Sequence, residues 1–184
     1  MAMYQGKERS PGKIAARAWC YSKVRPNKLY RDKHIVIASR ECGDIRYLIQ
    51  DLGVAPRNIL ACDIDPVAMQ SAALWSVEVS SQPDIVKTVA VAKSSIGLTK
   101  LASINVDLCM TIDRGAPILN DVPDQAGRMV PVFFTFLRGR DNMSSTEERL
   151  TKLEGLLTAP IQDFFCYQSS TRTSVGSPMC VAQF

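Results

Sequence analysis

The sequence predicts one α/β domain, doubly wound, with a mostly parallel seven-stranded sheet that closes in an antiparallel C-terminal hairpin. Short apolar, β-branched runs alternate with helical patterns from His34 onward. The connections between them are brief, as in the stretch from Leu52 to Asn58 that contains Pro56. The last two strand-like runs, Asp163 to Gln168 and Met179 to Phe184, flank a Ser/Thr/Gly/Pro segment suited to a hairpin. A length of 184 residues fits a single such domain.

Gly12 to Ser22 has helical patterning, with Pro11 suited to its first turn. His34-Ile-Val-Ile-Ala38 reads as the first buried strand. Asp44 to Leu52 spaces Ile45, Leu48, Ile49 and Leu52 at helical intervals, and Gly53 terminates it. Asn58 to Cys62 is the second strand, after which Asp65 caps a helix opened by Pro66. Val86 to Ala92 fits a strand or part of a helix, and the strand is the favoured reading. Ile104 to Ile112 and Val130 to Leu137 are the fourth and fifth strands. Ser145-Thr-Glu-Glu148 is a capping box that opens a helix ending before Pro160.

Composition narrows the class. A hydrophobic fraction of 46% with 22% charged residues excludes disordered and fibrous chains. No apolar run is long enough to span a bilayer and the start is polar, which predicts a soluble, cytoplasmic protein with no membrane contact. Six dispersed cysteines and one histidine predict no metal site, and reduced core thiols in a reducing compartment. His34 is expected to be structural.

Charge is uneven. Residues 1–33 carry nine Lys and Arg against two acids, while the remainder carries thirteen against sixteen. The chain thus divides into a basic N-terminal segment, 1–33, with a helix, and an α/β domain, 34–184. Such a segment suits nucleic-acid phosphates, or serves as a solvated arm. Its aromatics Tyr4, Trp19, Tyr21 and Tyr30 suit base stacking, or pin the arm to the domain.

From His34 to Ala72 the chain reads HIVIASRECGDIRYLIQDLGVAPRNILACDIDPVAMQSA. This resembles the opening of the class I, Rossmann-like, S-adenosylmethionine-dependent methyltransferases, in which a strand ends in an acidic residue followed by a phrase like Asp63-Ile-Asp-Pro-Val-Ala-Met-Gln-Ser-Ala72. The resemblance implies that Asp63 holds the cofactor ribose, that Ile64 packs on adenine, and that Ser39, Glu41 and Gly43 line the cofactor loop. A strand-end carboxylate facing the ligand crevice can accept hydrogen bonds from both ribose hydroxyls. Plain helix capping is the other reading of Asp63 to Asp65. The family's loop normally holds two or three glycines, and Ser39 to Gly43 holds one. Gly43 to Leu48 is similar to transfer-RNA adenine methyltransferases, and Phe133 to Gly139 resembles the family's fifth strand. The absence of G-x-G-x-x-G speaks against a nicotinamide dinucleotide fold.

In that family the loop after the fourth strand contacts substrate, and here it is Thr111 to Pro117. The resemblance gives Asp113 the catalytic position, accepting hydrogen bonds from an exocyclic amine, and lets Arg114 hold a phosphate. An ordinary loop turn is the alternative for this Asp-x-Gly. Arg138, Arg140 and Arg172 make a basic rim for RNA or DNA, or a solvated loop. The expected function is methyl transfer from S-adenosylmethionine to nucleic acid. The main alternative is a catalytically inactive protein of the same fold, with a binding or structural role, and a third reading is a methyltransferase for a small molecule or protein.

Overall fold

Ile35 and Val36 are adjacent and both fully buried, so the strand that carries them needs a core on each side. That strand, β1 (Lys33–Ile37), is an interior strand of a sheet in the computed structural model, which describes residues 10–110, 112–137, 146–168 and 178–184. β2 (Ile59–Cys62) runs parallel to β1 on one side and β4 (Leu101–Met110) on the other. With β3 (Glu78–Val79), β5 (Val132–Leu137), β6 (Asp163–Gln168) and β7 (Pro178–Gln183) the sheet has seven strands, ordered β3-β2-β1-β4-β5-β7-β6. Only the pairings of β7 with β5 and with β6 are antiparallel.

Helices cover both faces. On one, α1 (Pro11–Ser22), α3 (Gly43–Arg46) and α4 (Pro66–Ala73) bring Ala16, Cys20, Ile45 and Ala68 against Val36, Ala61 and Phe133. On the other, α5 (Ile85–Ser95), α6 (Ile112–Ala126) and α7 (Thr146–Leu156) bring Val89, Val122 and Leu153 against Ile35, Ile104 and Phe134. Each buried Leu, Ile or Phe contributes about 1.5–3 kcal/mol of transfer free energy, and the two cores hold the sheet between them. The short α2 (Pro26–Leu29) bridges α1 to β1.

α1 is part of the body of the fold. Ser10 caps it by accepting from the Lys13 amide, and Pro11 takes the first position. Trp19 stacks on Phe165 and meets Phe133 edge-on, while Tyr21 is buried beside Tyr47. Of the two readings for these aromatics, pinning holds for Trp19 and Tyr21, and Tyr30 is the one left exposed among the described residues.

His34 is fully buried, with Nδ1 2.8 Å from Ser103 Oγ and Nε2 2.8 Å from the Leu29 carbonyl. Burial lowers its pKa below 6.5, so the unfolded chain takes up a proton that the native state refuses. Stability is therefore expected to fall as pH drops below about 6.5 and to keep falling until the folded pKa is reached. His34→Asn should flatten that part of a melting temperature against pH curve, although it costs stability at neutral pH. A slope that survives the substitution would remove His34 from the account.

Several sequence expectations are corrected. Val86 to Ala92 is helical, within α5, because Asp84 caps the segment by accepting from the Val86 and Lys87 amides. The third strand is instead the two-residue β3. The presumed loop Thr111 to Pro117 is helical from Ile112, which carries Asp113 and Arg114 into the first turn of α6. Gly115 suits that helix, since a Cβ there would come 2.5 Å from Phe134 Cζ. Asp44 to Leu52 divides into α3 and a wider π turn, Tyr47–Asp51. Cys166 and Cys180 form a disulfide, contrary to the expectation of reduced thiols throughout. Antiparallel register places the two directly opposite each other on β6 and β7. Ser145, Arg138, Arg140 and Arg172 lie outside the described residues. No helix among the described residues is long and apolar enough to cross a membrane.

Candidate functional site

In a doubly wound sheet the ligand crevice opens at the carboxyl ends of the strands, where chain order reverses. Here the chain moves outward from β1 to β2 and β3, then returns to β4 on the far side of β1. Ile37 at the end of β1 pairs in register with Cys62 at the end of β2, and the Ala38 amide donates to the Cys62 carbonyl at 2.8 Å. Ser39 and Asp63 therefore leave the sheet side by side.

The loop after β1 is a tight turn. The Cys42 amide donates to the Ser39 carbonyl at 2.9 Å, and the Gly43 amide lies 3.5 Å from Ser39 Oγ. Cys42 takes the left-handed conformation, φ 51°, which favours glycine. Its thiol is buried and pushed up to about 11 by desolvation, so it packs and does not act as a nucleophile. Gly43 is buried at the start of α3, and Glu41 is partly buried in the loop.

Across from this loop, Asp63 is half-buried at the end of β2. One oxygen accepts from the Asp65 amide at 2.8 Å, and the Ile64 amide also stabilises the carboxylate. Desolvation raises its pKa above the usual aspartate value, outweighing the pull of the Asp65 amide. Ile64 is 83% exposed beside it. Asp65 caps α4 by accepting from the Val67 amide at 2.9 Å. Its second oxygen accepts from Arg40 Nε at 2.6 Å, a bond that holds its pKa low and ties the β1 loop to the β2 end. The structure thus sets Ser39 beside Asp63 at the ends of two paired strands, with Glu41 and Gly43 in the turn after β1 and Ile64 directly after Asp63. It sets the backbone of Asp113 and Arg114 at the carboxyl end of β4.

A buried polar cluster lies beneath α1, and no sequence motif pointed to it. Asp44, 7% exposed, accepts from Asn105 Nδ2 at 2.8 Å, Arg17 Nε at 3.3 Å and Tyr21 Oη at 3.4 Å. Burial first, and the Asp44 carboxylate second, push the Tyr21 phenol well above its usual pKa. Asp44, Asn105 and Arg17, with Lys13, Asp107, Thr135 and Tyr167, line a cavity of about 10 Å³, the room a single water needs. The cluster anchors the residue next to Gly43 to α1 and to β4, so it fixes where the loop after β1 turns. The available signal was twofold. Lys13 and Arg17 share a helix face at i,i+4, and Asn105 and Asp107 interrupt an apolar strand on alternate positions. Among the described residues no group of three or more His, Cys, Asp or Glu is placed to hold a metal.

No family model matches the chain, and no curated protein matches it. Solved structures do. One is a Methanococcus jannaschii fibrillarin pre-rRNA processing protein, 15% identical, covering 95% of this chain and 74% of that one with a TM-score of 0.54. Another is an rRNA methylase from Streptococcus thermophilus, 11% identical, covering 95% and 96% with a TM-score of 0.52. A third is the 16S rRNA methyltransferase RmtF in complex with S-adenosyl-L-homocysteine, 17% identical, covering 97% and 64% with a TM-score of 0.51. The chain has the class I S-adenosylmethionine-dependent methyltransferase fold.

Proposed function

We propose that the chain is an S-adenosylmethionine-dependent methyltransferase whose acceptor is nucleic acid, RNA in the first place. The observation that carries the reading is Asp63: a half-buried carboxylate at the carboxyl end of β2, next to the point where the sheet reverses. These residues fit a nucleoside. Asp63 can accept from ribose hydroxyls, the exposed Ile64 offers an apolar face to adenine, and Ser39, Glu41 and Gly43 line the loop opposite. The RNA-processing and RNA-methylating neighbours support RNA as the acceptor class.

When bound, the cofactor supplies an electrophilic methyl on a sulfonium. The chain's part is alignment, because in-line transfer gains most from orientation. Asp113, in the first turn of α6, is assigned to accept a hydrogen bond from the acceptor amine, and Arg114, Arg138 and Arg140 to engage phosphates. The Asp44 cluster keeps the β1 loop in register with β4.

One observation favours a second reading, a protein that keeps the fold for binding alone. The loop carries Arg40 and Glu41 where the family has small residues, and Arg40 is bonded to Asp65 across the mouth of the crevice. Incubation with methyl-labelled S-adenosylmethionine and total RNA separates the two. Label entering RNA, and absent with Asp63→Ala, is the expected result. No label in RNA, despite cofactor binding, would refute RNA as acceptor.

A further inference from the structure

We propose that the amino-end edge of the sheet, on the opposite side of the domain from the crevice, is a second nucleic-acid contact surface, with Tyr30 as a base-stacking face among Arg25, Arg31, Arg57 and Lys100. The proposal rests on the nucleic-acid reading given above, and it extends that reading to residues away from the cofactor site.

Three segments that precede neighbouring strands build this edge. Residues 25–33 lead into β1, the 3-10 turn Pro56–Asn58 into β2, and the 3-10 turn Leu98–Lys100 into β4. Hydrogen bonds hold them together. Asn58 Nδ2 donates to the Tyr30 carbonyl at 2.7 Å, Lys33 Nζ to the Arg57 carbonyl at 2.6 Å, and Lys28 Nζ to the Thr99 carbonyl at 3.0 Å. Lys28 and Lys33 are also neutralised, by Asp32 at 3.7 Å and by Glu78 at 2.6 Å. Arg25, Arg31, Arg57 and Lys100 are different. All four are exposed and make no ion pair with a described residue.

A cluster of unpaired cations is by itself an ordinary solvated face. Tyr30 changes the reading, because the residue is 53% exposed while Asn58 ties down its carbonyl, which sets an aromatic side chain among the cations. Three of the four cations are arginines, which stack on bases and pair with phosphates. In these three segments Tyr30 is the only large apolar side chain exposed, which suits a nucleic-acid strand better than a membrane surface. β1 separates this edge from the crevice by about 15 Å, at roughly 3.3 Å per residue, a span of a few nucleotides.

The test is fluorescence anisotropy of a labelled 20-nucleotide single-stranded RNA on the full chain, over a range of salt. Arg31→Glu/Arg57→Glu/Lys100→Glu should weaken binding at least tenfold at 0.1 M salt and lower the salt slope by about 2, at roughly 0.7 per lost phosphate contact. Tyr30→Ala should weaken it about fivefold or more. Both variants should keep the wild-type melting temperature and the wild-type response to S-adenosylhomocysteine. Unchanged RNA affinity in the triple variant would overturn the proposal. So would vesicles of phosphatidylserine showing the loss while RNA does not, or wild-type protein that fails to bind RNA. Failure of S-adenosylhomocysteine to bind would instead count against the crevice reading alone.

Discussion

Asp63→Ala should abolish micromolar binding of S-adenosylhomocysteine while leaving the protein folded. Two hydrogen bonds from ribose hydroxyls to a carboxylate contribute about 1.5 kcal/mol each or more, so their loss corresponds to a weakening on the order of 100-fold. Stability should barely change. The raised pKa of Asp63 means that the native environment disfavours its ionised form, so removing the carboxylate removes an unfavourable burial. The same shift gives a pH signature: affinity should fall with acidification, beginning at a higher pH than for an ordinary aspartate. Isothermal titration of the variant, with circular dichroism to confirm folding, checks both points. A folded Asp63→Ala protein that binds as tightly as wild type would remove Asp63 from the site.

The second large effect is on stability. Asp44→Ala removes the acceptor of three buried hydrogen bonds, one of them from the Arg17 guanidinium. Breaking a buried ion pair from one side costs about 3–5 kcal/mol. In a domain of this size that lowers the melting temperature by about 10 °C or more. Asp44→Asn keeps an acceptor oxygen and loses only the charge, so it should fall between the two and provides a folded variant if the alanine form aggregates. Because Asp44 adjoins Gly43, the asparagine form should also weaken cofactor binding. A melting temperature within about 2 °C of wild type for Asp44→Ala would show that the cluster does not hold α1 to the sheet.

Elements whose residues faced one demand were legible in the sequence. Buried strands such as His34 to Ala38 need apolar residues on both faces, and Asp65-Pro66 can only begin a helix. The acidic strand end at Asp63 was legible because it closes the apolar run Ile59 to Cys62 just before the helix that Pro66 opens. Val86 to Ala92 was not, since Val and Ala suit a buried strand and a helix alike and only the Asp84 cap decides between them. Helix α6 was hidden by Gly115 and Pro117 in its first turns, which read as a loop until the packing of Gly115 on Phe134 is known. The disulfide depended on hairpin register, which opposes Cys166 and Cys180 and which composition does not reveal. The Asp44 cluster joins residues up to 84 positions apart, on α1, α3 and β4. Such a site has no local pattern.

The central claim is that the crevice between the ends of β1 and β2 holds an adenosyl cofactor. Calorimetric titration of the wild-type chain with S-adenosylhomocysteine at two temperatures tests it without a known acceptor. Saturable one-to-one binding in the micromolar range, about −8 kcal/mol, is the expected result. No heat at either temperature, from a protein shown to be folded, would contradict the claim and leave the class I fold serving binding alone.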